Sequence, residues 1–162
     1  MDPEIFNQFR DIIYNRSGIT LGPHKLALLS ARLGKRMRTL NLEHHEAYLK
    51  HLMDDQTGAE LVQLLDAIST NLTSFFRETP HFEQLSKLAT EWLEAGARRL
   101  RIWSSACSTG EEPYSIAITL HELAEQYDAD IKILATDIST RVLKHAREGI
   151  YDKDRLQQIP PM

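Results

Sequence analysis

Apolar residues recur at helical spacing through roughly the first 70 positions of this chain; near Ser69 the pattern changes to short apolar runs that alternate with helical ones. That switch of period constrains the fold most, because a helical pattern does not sit still as a strand. Asp2 and Pro3 suit a helix start, and Ile5, Phe6, Phe9, Ile12 and Ile13 follow until Gly18 stops the run. A second helix follows Pro23, with Leu26, Leu29, Leu33, Met37 and Leu40 on one stripe. Asn41 opens a third, carrying Tyr48, Leu49, Leu52 and Met53. Thr57-Gly58-Ala59-Glu60 has the capping-box pattern ahead of Leu61, Leu64, Leu65 and Ile68. The expectation is an all-helical unit over residues 1–70.

Asn71-Leu72-Thr73-Ser74-Phe75-Phe76-Arg77-Glu78 has poor helical periodicity and many side chains able to hydrogen-bond locally. A helix then starts at Thr79-Pro80, bears Phe82, Leu85, Leu88, Trp92 and Leu93, and ends at Gly96. Leu100–Ala106 reads as a strand, Glu112-Pro113 as a helix start, Ile131–Thr136 as a second strand. Ser139 is placed to cap one more helix, with Val142, Leu143 and Ala146 inward and Gly149 as its stop. Strand, helix, strand, helix at these lengths predicts a parallel α/β unit over residues 71–162.

Composition excludes several classes. Hydrophobic residues at 42 % and charged ones at 26 % are globular values, not those of a disordered chain. The single cysteine, Cys107, forms no internal disulfide and fits a reducing compartment. No apolar run approaches the roughly 18 residues of a membrane span, and Met1-Asp2-Pro3-Glu4 does not open a signal peptide. A soluble, cytoplasmic protein without membrane insertion is expected. His44-His45, His51 and His121-Glu122 lack metal-ligand spacing, so no metal is expected.

The net charge of −4 conceals an asymmetry. No Asp or Glu occurs from Ile12 to Leu42, where Arg16, Lys25, Arg32, Lys35, Arg36 and Arg38 stand. On a helix, Lys25, Arg32, Lys35 and Arg36 adjoin the apolar stripe, with Arg38 further round. The ordinary reading is a solvated face; the alternative is a surface for an acidic partner. Nucleic acid is not expected, because the chain is acidic and lacks interleaved aromatic side chains.

In a parallel sheet, ligands bind beyond the carboxyl ends of the strands. There lies Ser104-Ser105-Ala106-Cys107-Ser108-Thr109-Gly110-Glu111-Glu112, with small residues that allow close approach. Two acids at the helix start disfavour phosphate, and the dinucleotide and Walker spacings are absent. Asp137, closing the second strand, is where an acid accepts ribose hydroxyls; otherwise it caps the helix at Ser139. A cationic, ribose-bearing, phosphate-free ligand matches S-adenosylmethionine.

Three motifs are more specific: Asn71 to Glu78, Trp103-Ser104-Ser105-Ala106-Cys107-Ser108-Thr109-Gly110-Glu111-Glu112-Pro113-Tyr114-Ser115, and Ala135-Thr136-Asp137-Ile138-Ser139. Together they resemble the chemotaxis receptor methyltransferases, the CheR family, over nearly the whole chain to Gly149-Ile150-Tyr151. The resemblance implies a small all-helical domain followed by the first half of a Rossmann-like class I methyltransferase domain. It implies methyl transfer from S-adenosylmethionine to glutamates of a chemotaxis receptor cytoplasmic domain. It further implies that Asn71, Thr73, Arg77, Glu112 and Asp137 contact the cofactor and that Arg77 stands near the reacting centre. Apart from the resemblance, Arg77 suits a surface ion pair with Glu78 or Glu83. Lys25, Arg32, Lys35, Arg36 and Arg38 would face the acidic methylation region of the receptor.

Family members continue with further strands, whereas this sequence stops at Ile159-Pro160-Pro161-Met162, so a truncated, amino-terminal fragment is expected. Its strand at Leu100–Ala106 would then have one bare edge beside Leu100, Ile102 and Trp103, which predicts self-association. Two other functions compete: a non-catalytic docking module for an acidic partner, and a nicotinamide enzyme, against which the missing glycines weigh.

Overall fold

Asp2 starts the first helix as its sequence suggests: its Oδ1 accepts the Glu4 N–H at 2.7 Å, and Pro3 occupies the first turn of α1, Pro3–Ser17. Gly18, in the left-handed region at φ 72°, ends it by donating to the Tyr14 carbonyl at 2.8 Å. A computed structural model describes residues 1–159; Pro160-Pro161-Met162, where the sequence reading expects the fragment to stop, lies outside the described residues. The chain forms two units, the first Met1–Thr70 and the second beginning at Asn71.

In the first unit a short 3-10 turn, Pro23–Lys25, leads into α2, Leu26–Thr39, followed by α3, His45–Asp54, and α4, Ala59–Ile68. Phe6, Phe9 and Ile13 of α1 meet Leu29, Leu33 and Met37 of α2 in the core, which Tyr48, Leu49, Leu64 and Ile68 complete. Two expectations need correction. Asn41 does not open α3: at φ 55° it lies in the turn that closes α2, where the Leu42 N–H returns to the Met37 carbonyl at 2.9 Å. Met53, expected on the stripe of Tyr48, Leu49 and Leu52, is exposed because it lies at the margin of that stripe, beyond the side that α3 buries.

The capping box forms only in part. Thr57 Oγ1 accepts the Ala59 N–H at 3.2 Å, but Asp55 Oδ2 takes the Glu60 N–H at 2.7 Å. This leaves the Glu60 side chain to turn inward. There the Arg36 guanidinium grips it with two bonds, Nε to Oε1 at 2.8 Å and Nη2 to Oε2 at 2.5 Å. The buried Tyr48 hydroxyl donates to the same Oε1 at 2.7 Å. Glu60 is only 5 % exposed, so its carboxylate depends on these donors.

The second unit contains α5, Pro80–Glu94; β1, Arg99–Ser104; α6, Glu111–Gln126; β2, Asp130–Ala135; α7, Thr140–Glu148; and a 3-10 segment, Lys153–Gln158. The two strands pair in parallel, from Arg99 opposite Asp130 to Ser104 opposite Ala135. Leu100, Ile102, Ile131 and Ile133 alternate onto the face that joins Phe82, Ala89 and Leu93 of α5 with Ile116 and Leu120 of α6. Beside the edge of β1 that faces away from β2, which pairs with no strand among the described residues, the expected exposure of Leu100, Ile102 and Trp103 needs correction: Leu100 is buried and Ile102 half-buried. Trp103 alone of the three is exposed, at 67 %, with exposed Leu134 opposite it in register. Trp92, expected in the core, is exposed as well.

Burial by itself would raise the Glu60 pKa, but the hydrogen bonds from Arg36 and Tyr48 outweigh it and hold the carboxyl below its ordinary 4.5. A depressed folded-state pKa contributes stability that is complete above 4.5 and lost as pH falls through the folded value. Arg36→Ala is expected to destabilise the first unit by about 3–5 kcal/mol at pH 7, since it strands a buried charge. Arg36→Met combined with Glu60→Met is expected to cost much less. Thermal unfolding of both variants at pH 7 and pH 3 checks this: the cost of Arg36→Ala should shrink at the lower pH.

Candidate functional site

The parallel register brings the two strand ends together. Beyond Ser104, the Cys107 N–H donates to the Thr136 carbonyl at 2.9 Å, and the Thr136 N–H to the Ser104 carbonyl at 2.9 Å. The loop that follows β1 is thus laid against the residue after β2. Ser108, at φ 49°, then aims its N–H at Asp137 Oδ2, 2.9 Å away. The other oxygen, Oδ1, accepts the Ser139 N–H at 2.9 Å. The capping alternative for Asp137 and the ligand alternative are therefore compatible, because a carboxylate oxygen can accept more than one hydrogen bond. Ser139 caps α7 by position, but its side chain makes no capping bond.

Ser108 also joins the Asn71–Glu78 motif, its hydroxyl donating to the Asn71 carbonyl at 3.1 Å. Asn71, Asp137 and the β1 loop therefore converge on one serine. Thr73 lies half-buried further along the Asn71 segment. Arg77 sits between two non-glycine residues in the left-handed region, Phe76 at φ 51° and Glu78 at φ 60°. Backbone of this kind costs about 1–3 kcal/mol per residue and persists only where neighbours hold it. Here Ser115 does so: its buried hydroxyl accepts the Phe76 N–H at 3.0 Å and donates to the Glu111 carbonyl at 2.7 Å.

The Arg77 guanidinium donates to the Leu72 carbonyl at 3.0 Å. Its expected surface partner Glu78 pairs with His81 instead, at 3.3 Å, and among the described residues Arg77 makes no ion pair. Its charge is available.

The two acids at the start of α6 differ. Glu111 is fully buried, taking a bond from Thr109 Oγ1 at 2.6 Å and from Arg155 Nη1 at 2.5 Å. Glu112 is exposed and held by Ser104 Oγ at 2.7 Å. Of Glu111, Glu112 and Asp137, the last two therefore present negative charge outward, which suits a cationic ligand with hydroxyls. Among the described residues, no acceptor meets the buried Asn71 Nδ2 and no partner meets Ser139 Oγ. A buried amide donor left unmet costs about 1–3 kcal/mol, so Asn71 is suited to a ligand acceptor. These groups fit S-adenosylmethionine. Burial, followed by the fields of Asp137 and Glu112, pushes the Cys107 thiol up, so it packs as a neutral side chain. A groove of about 430 Å³ opens nearby between Tyr114, Ile133, Leu143 and Ala146, and it includes none of the five expected cofactor residues.

The five basic residues divide. Arg32 is turned onto the end of α4, donating to the carbonyls of Ile68 and, at 3.1 Å, Ser69, and to Thr70 Oγ1 at 3.3 Å. Arg36 is held by Glu60. Lys25, Lys35 and Arg38 are exposed and, among the described residues, free of ion pairs. Sequence reasoning did not single out Ser108, Ser115, Tyr151 or Arg155. The first two stood inside a quoted motif, whereas Arg155 carried no local signal, its partner being 44 residues away.

Ser115→Ala leaves the Phe76 N–H without its acceptor. It is expected to destabilise the second unit by about 1–3 kcal/mol, read by chemical denaturation.

Comparison with known proteins places both units. Residues 4–69 match the family model described as CheR methyltransferase, all-alpha domain, and residues 71–162 that of CheR methyltransferase, SAM binding domain. The chain is 47 % identical over 157 residues to chemotaxis protein methyltransferase 2 of Pseudomonas aeruginosa, covering 97 % of this chain and 55 % of that protein. It is 42 % identical over 156 residues to the chemotaxis protein methyltransferase of Borreliella burgdorferi, covering 92 % and 55 %. With the Escherichia coli protein of that name the identity is 40 % over 156 residues, covering 96 % and 53 %. The chain thus spans about half the length of these curated relatives. S-adenosylmethionine is the cofactor of the domain matched by the second unit. The chain belongs to the CheR methyltransferase family, with its all-helical domain followed by a part of its S-adenosylmethionine-binding domain.

Proposed function

We propose that this chain serves cytoplasmic methyl transfer from S-adenosylmethionine to glutamate side chains of chemotaxis receptors. The observation that carries the reading is the convergence on Ser108 of Asp137, the Asn71 segment and the loop into α6. Asp137, its carboxylate oriented by two backbone N–H groups, accepts the two ribose hydroxyls. Glu112 faces the positive part of the ligand, and Asn71 and Thr73 supply hydrogen bonds from the opposite segment. When bound, S-adenosylmethionine supplies a methyl group already activated on a sulfonium. A glutamate carboxylate is anionic at neutral pH, so no strong base is needed. What remains for the protein is in-line positioning, which can contribute about 7–11 kcal/mol. Arg77 orients the incoming carboxylate through charge-assisted bonds, a role supported by a guanidinium that makes no ion pair among the described residues and by its braced turn.

Receptor binding falls to Lys25, Lys35 and Arg38, with Arg32 and Arg36 shaping the helix face that carries them. This narrows the basic surface to the cations without internal partners.

Titration calorimetry with S-adenosylhomocysteine, the demethylated product, tests the reading directly. Binding by the chain is expected, and Asp137→Ala is expected to weaken it more than tenfold, each charge-assisted bond being worth about 1.5–3 kcal/mol. No binding by the unaltered chain would leave only the docking alternative. Replacing Lys25, Lys35 and Arg38 with Ala is expected to weaken association with an acidic receptor segment and flatten its salt dependence, at unchanged Tm. Alanine at Arg32 and Arg36 is expected to lower Tm instead.

A further inference from the structure

Gly149 closes α7 at φ 63° and turns the chain back, so that Tyr151 meets the loop that precedes α6. The Tyr151 hydroxyl donates to the Thr109 carbonyl at 2.7 Å. Its ring makes edge contacts with Phe75 at 5.0 Å, His145 at 5.5 Å and Tyr114 at 5.8 Å between centroids. One side chain therefore touches the Asn71–Glu78 segment, the β1 loop, α6 and α7. Four residues on, Arg155 reaches into the same place and pairs at 2.5 Å with Glu111, whose side chain is 1 % exposed. Thr109 Oγ1 binds the second oxygen of that carboxylate. Between them stands Gly110 at φ 102°, where an added Cβ would lie 2.4 Å from the Tyr151 hydroxyl and 2.9 Å from the Ala146 backbone.

These contacts fall on Thr109, Gly110 and Glu111. The residue before them, Ser108, orients Asp137, and the residue after them is Glu112. The clamped stretch thus lies between a residue that orients one charge of the proposed cofactor site and a residue that carries another. Arg155 is half exposed while Glu111 is not, so the buried carboxylate depends on a side chain delivered from outside the motif.

We propose that Tyr151 and Arg155 are positioning residues, a clamp that holds the Ser108–Glu112 loop in the geometry required for S-adenosylmethionine. The inference rests on the function proposed above. Loss of the clamp lets the loop open locally while the β1–β2 pairing persists. The cofactor must then pay for ordering it, and affinity falls.

The experiment compares Tyr151→Phe, Arg155→Gln and Arg155→Lys in the whole chain, by native-state amide hydrogen exchange without ligand and by calorimetry with S-adenosylhomocysteine. Tyr151→Phe keeps the ring contacts and removes only the hydroxyl. In Tyr151→Phe and Arg155→Gln, exchange at Ser108 and Gly110 is expected to rise about tenfold, with amides of β1 and β2 unchanged. Affinity is expected to fall about tenfold in Arg155→Gln and to return largely in Arg155→Lys, which keeps the charge. Loop exchange equal to that of the unaltered chain overturns the clamp. So does a rise shared equally by the strands, which means general destabilisation. Failure of the unaltered chain to bind S-adenosylhomocysteine overturns the function proposed above, and the exchange at Ser108 and Gly110 still decides whether the loop is clamped.

Discussion

Parallel pairing of β1 with β2 is the constraint on which the second unit depends. A parallel pair needs a crossover, and α6 supplies it, so the loop into α6 and the loop into α7 emerge side by side at the same end of the sheet. The register from Leu100 opposite Ile131 to Ser104 opposite Ala135 decides which loop atoms meet. Slipping it by one residue would turn the apolar set of one strand, Leu100 and Ile102 or Ile131 and Ile133, away from α5 and α6, and would part the Ser108 N–H from Asp137. The burial of the strand face and the geometry of the site are thus one requirement. The alternation of apolar side chains holds the register, and the register holds the carboxylate.

Each unit also buries one glutamate and answers it with an arginine distant in sequence. Glu60 is met by Arg36, 24 residues earlier, and Glu111 by Arg155, 44 residues later. Both acids begin a helix, where the orphan N–H groups favour negative charge. Neither is free for a ligand or partner. The exposed Glu112 and half-buried Asp137 differ because their oxygens are held by a serine hydroxyl and by backbone N–H groups, with no cation paired to them among the described residues. Charge left unneutralised in this way is what a cationic ligand can use. The same division separates Arg32 and Arg36, committed to α4, from Lys25, Lys35 and Arg38.

Where the sequence was legible, the determining forces were local. Asp2, Gly18 and Gly149 mark helix ends because capping needs only the adjacent backbone. The stripe of Leu29, Leu33 and Met37 was readable because helical period alone puts those residues on one face. Where the reading failed, a distant group had won. Thr57-Gly58-Ala59-Glu60 has the spacing of a capping box, yet Glu60 turns inward because Arg36 and Tyr48 offer a buried carboxylate more than one N–H does. Trp92 and Met53 fit their helical stripes but lie at margins where the core has already been filled. The Leu100 and Ile102 side chains expected to be exposed are covered because α5 and α6 pack on that face, while among the described residues the edge of β1 away from β2 has no strand partner.

The sequence by itself determined the order of helices and strands, the parallel character of the sheet, the motifs that carry the family resemblance, and the set of small and acidic residues in the loop beyond β1. Periodicity, capping and turn chemistry act over a few residues, and a reader of the sequence has those residues in view. Only the tertiary structure decided that Glu111 is neutralised while Glu112 is not, that Ser108 joins Asn71 to Asp137, that Ser115 braces the turn at Arg77, and which cations of α2 remain free. Those outcomes depend on partners 24 to 44 residues apart, and no local pattern records them. Burial makes each of them necessary: a polar group removed from water must find its partner wherever the fold brings one.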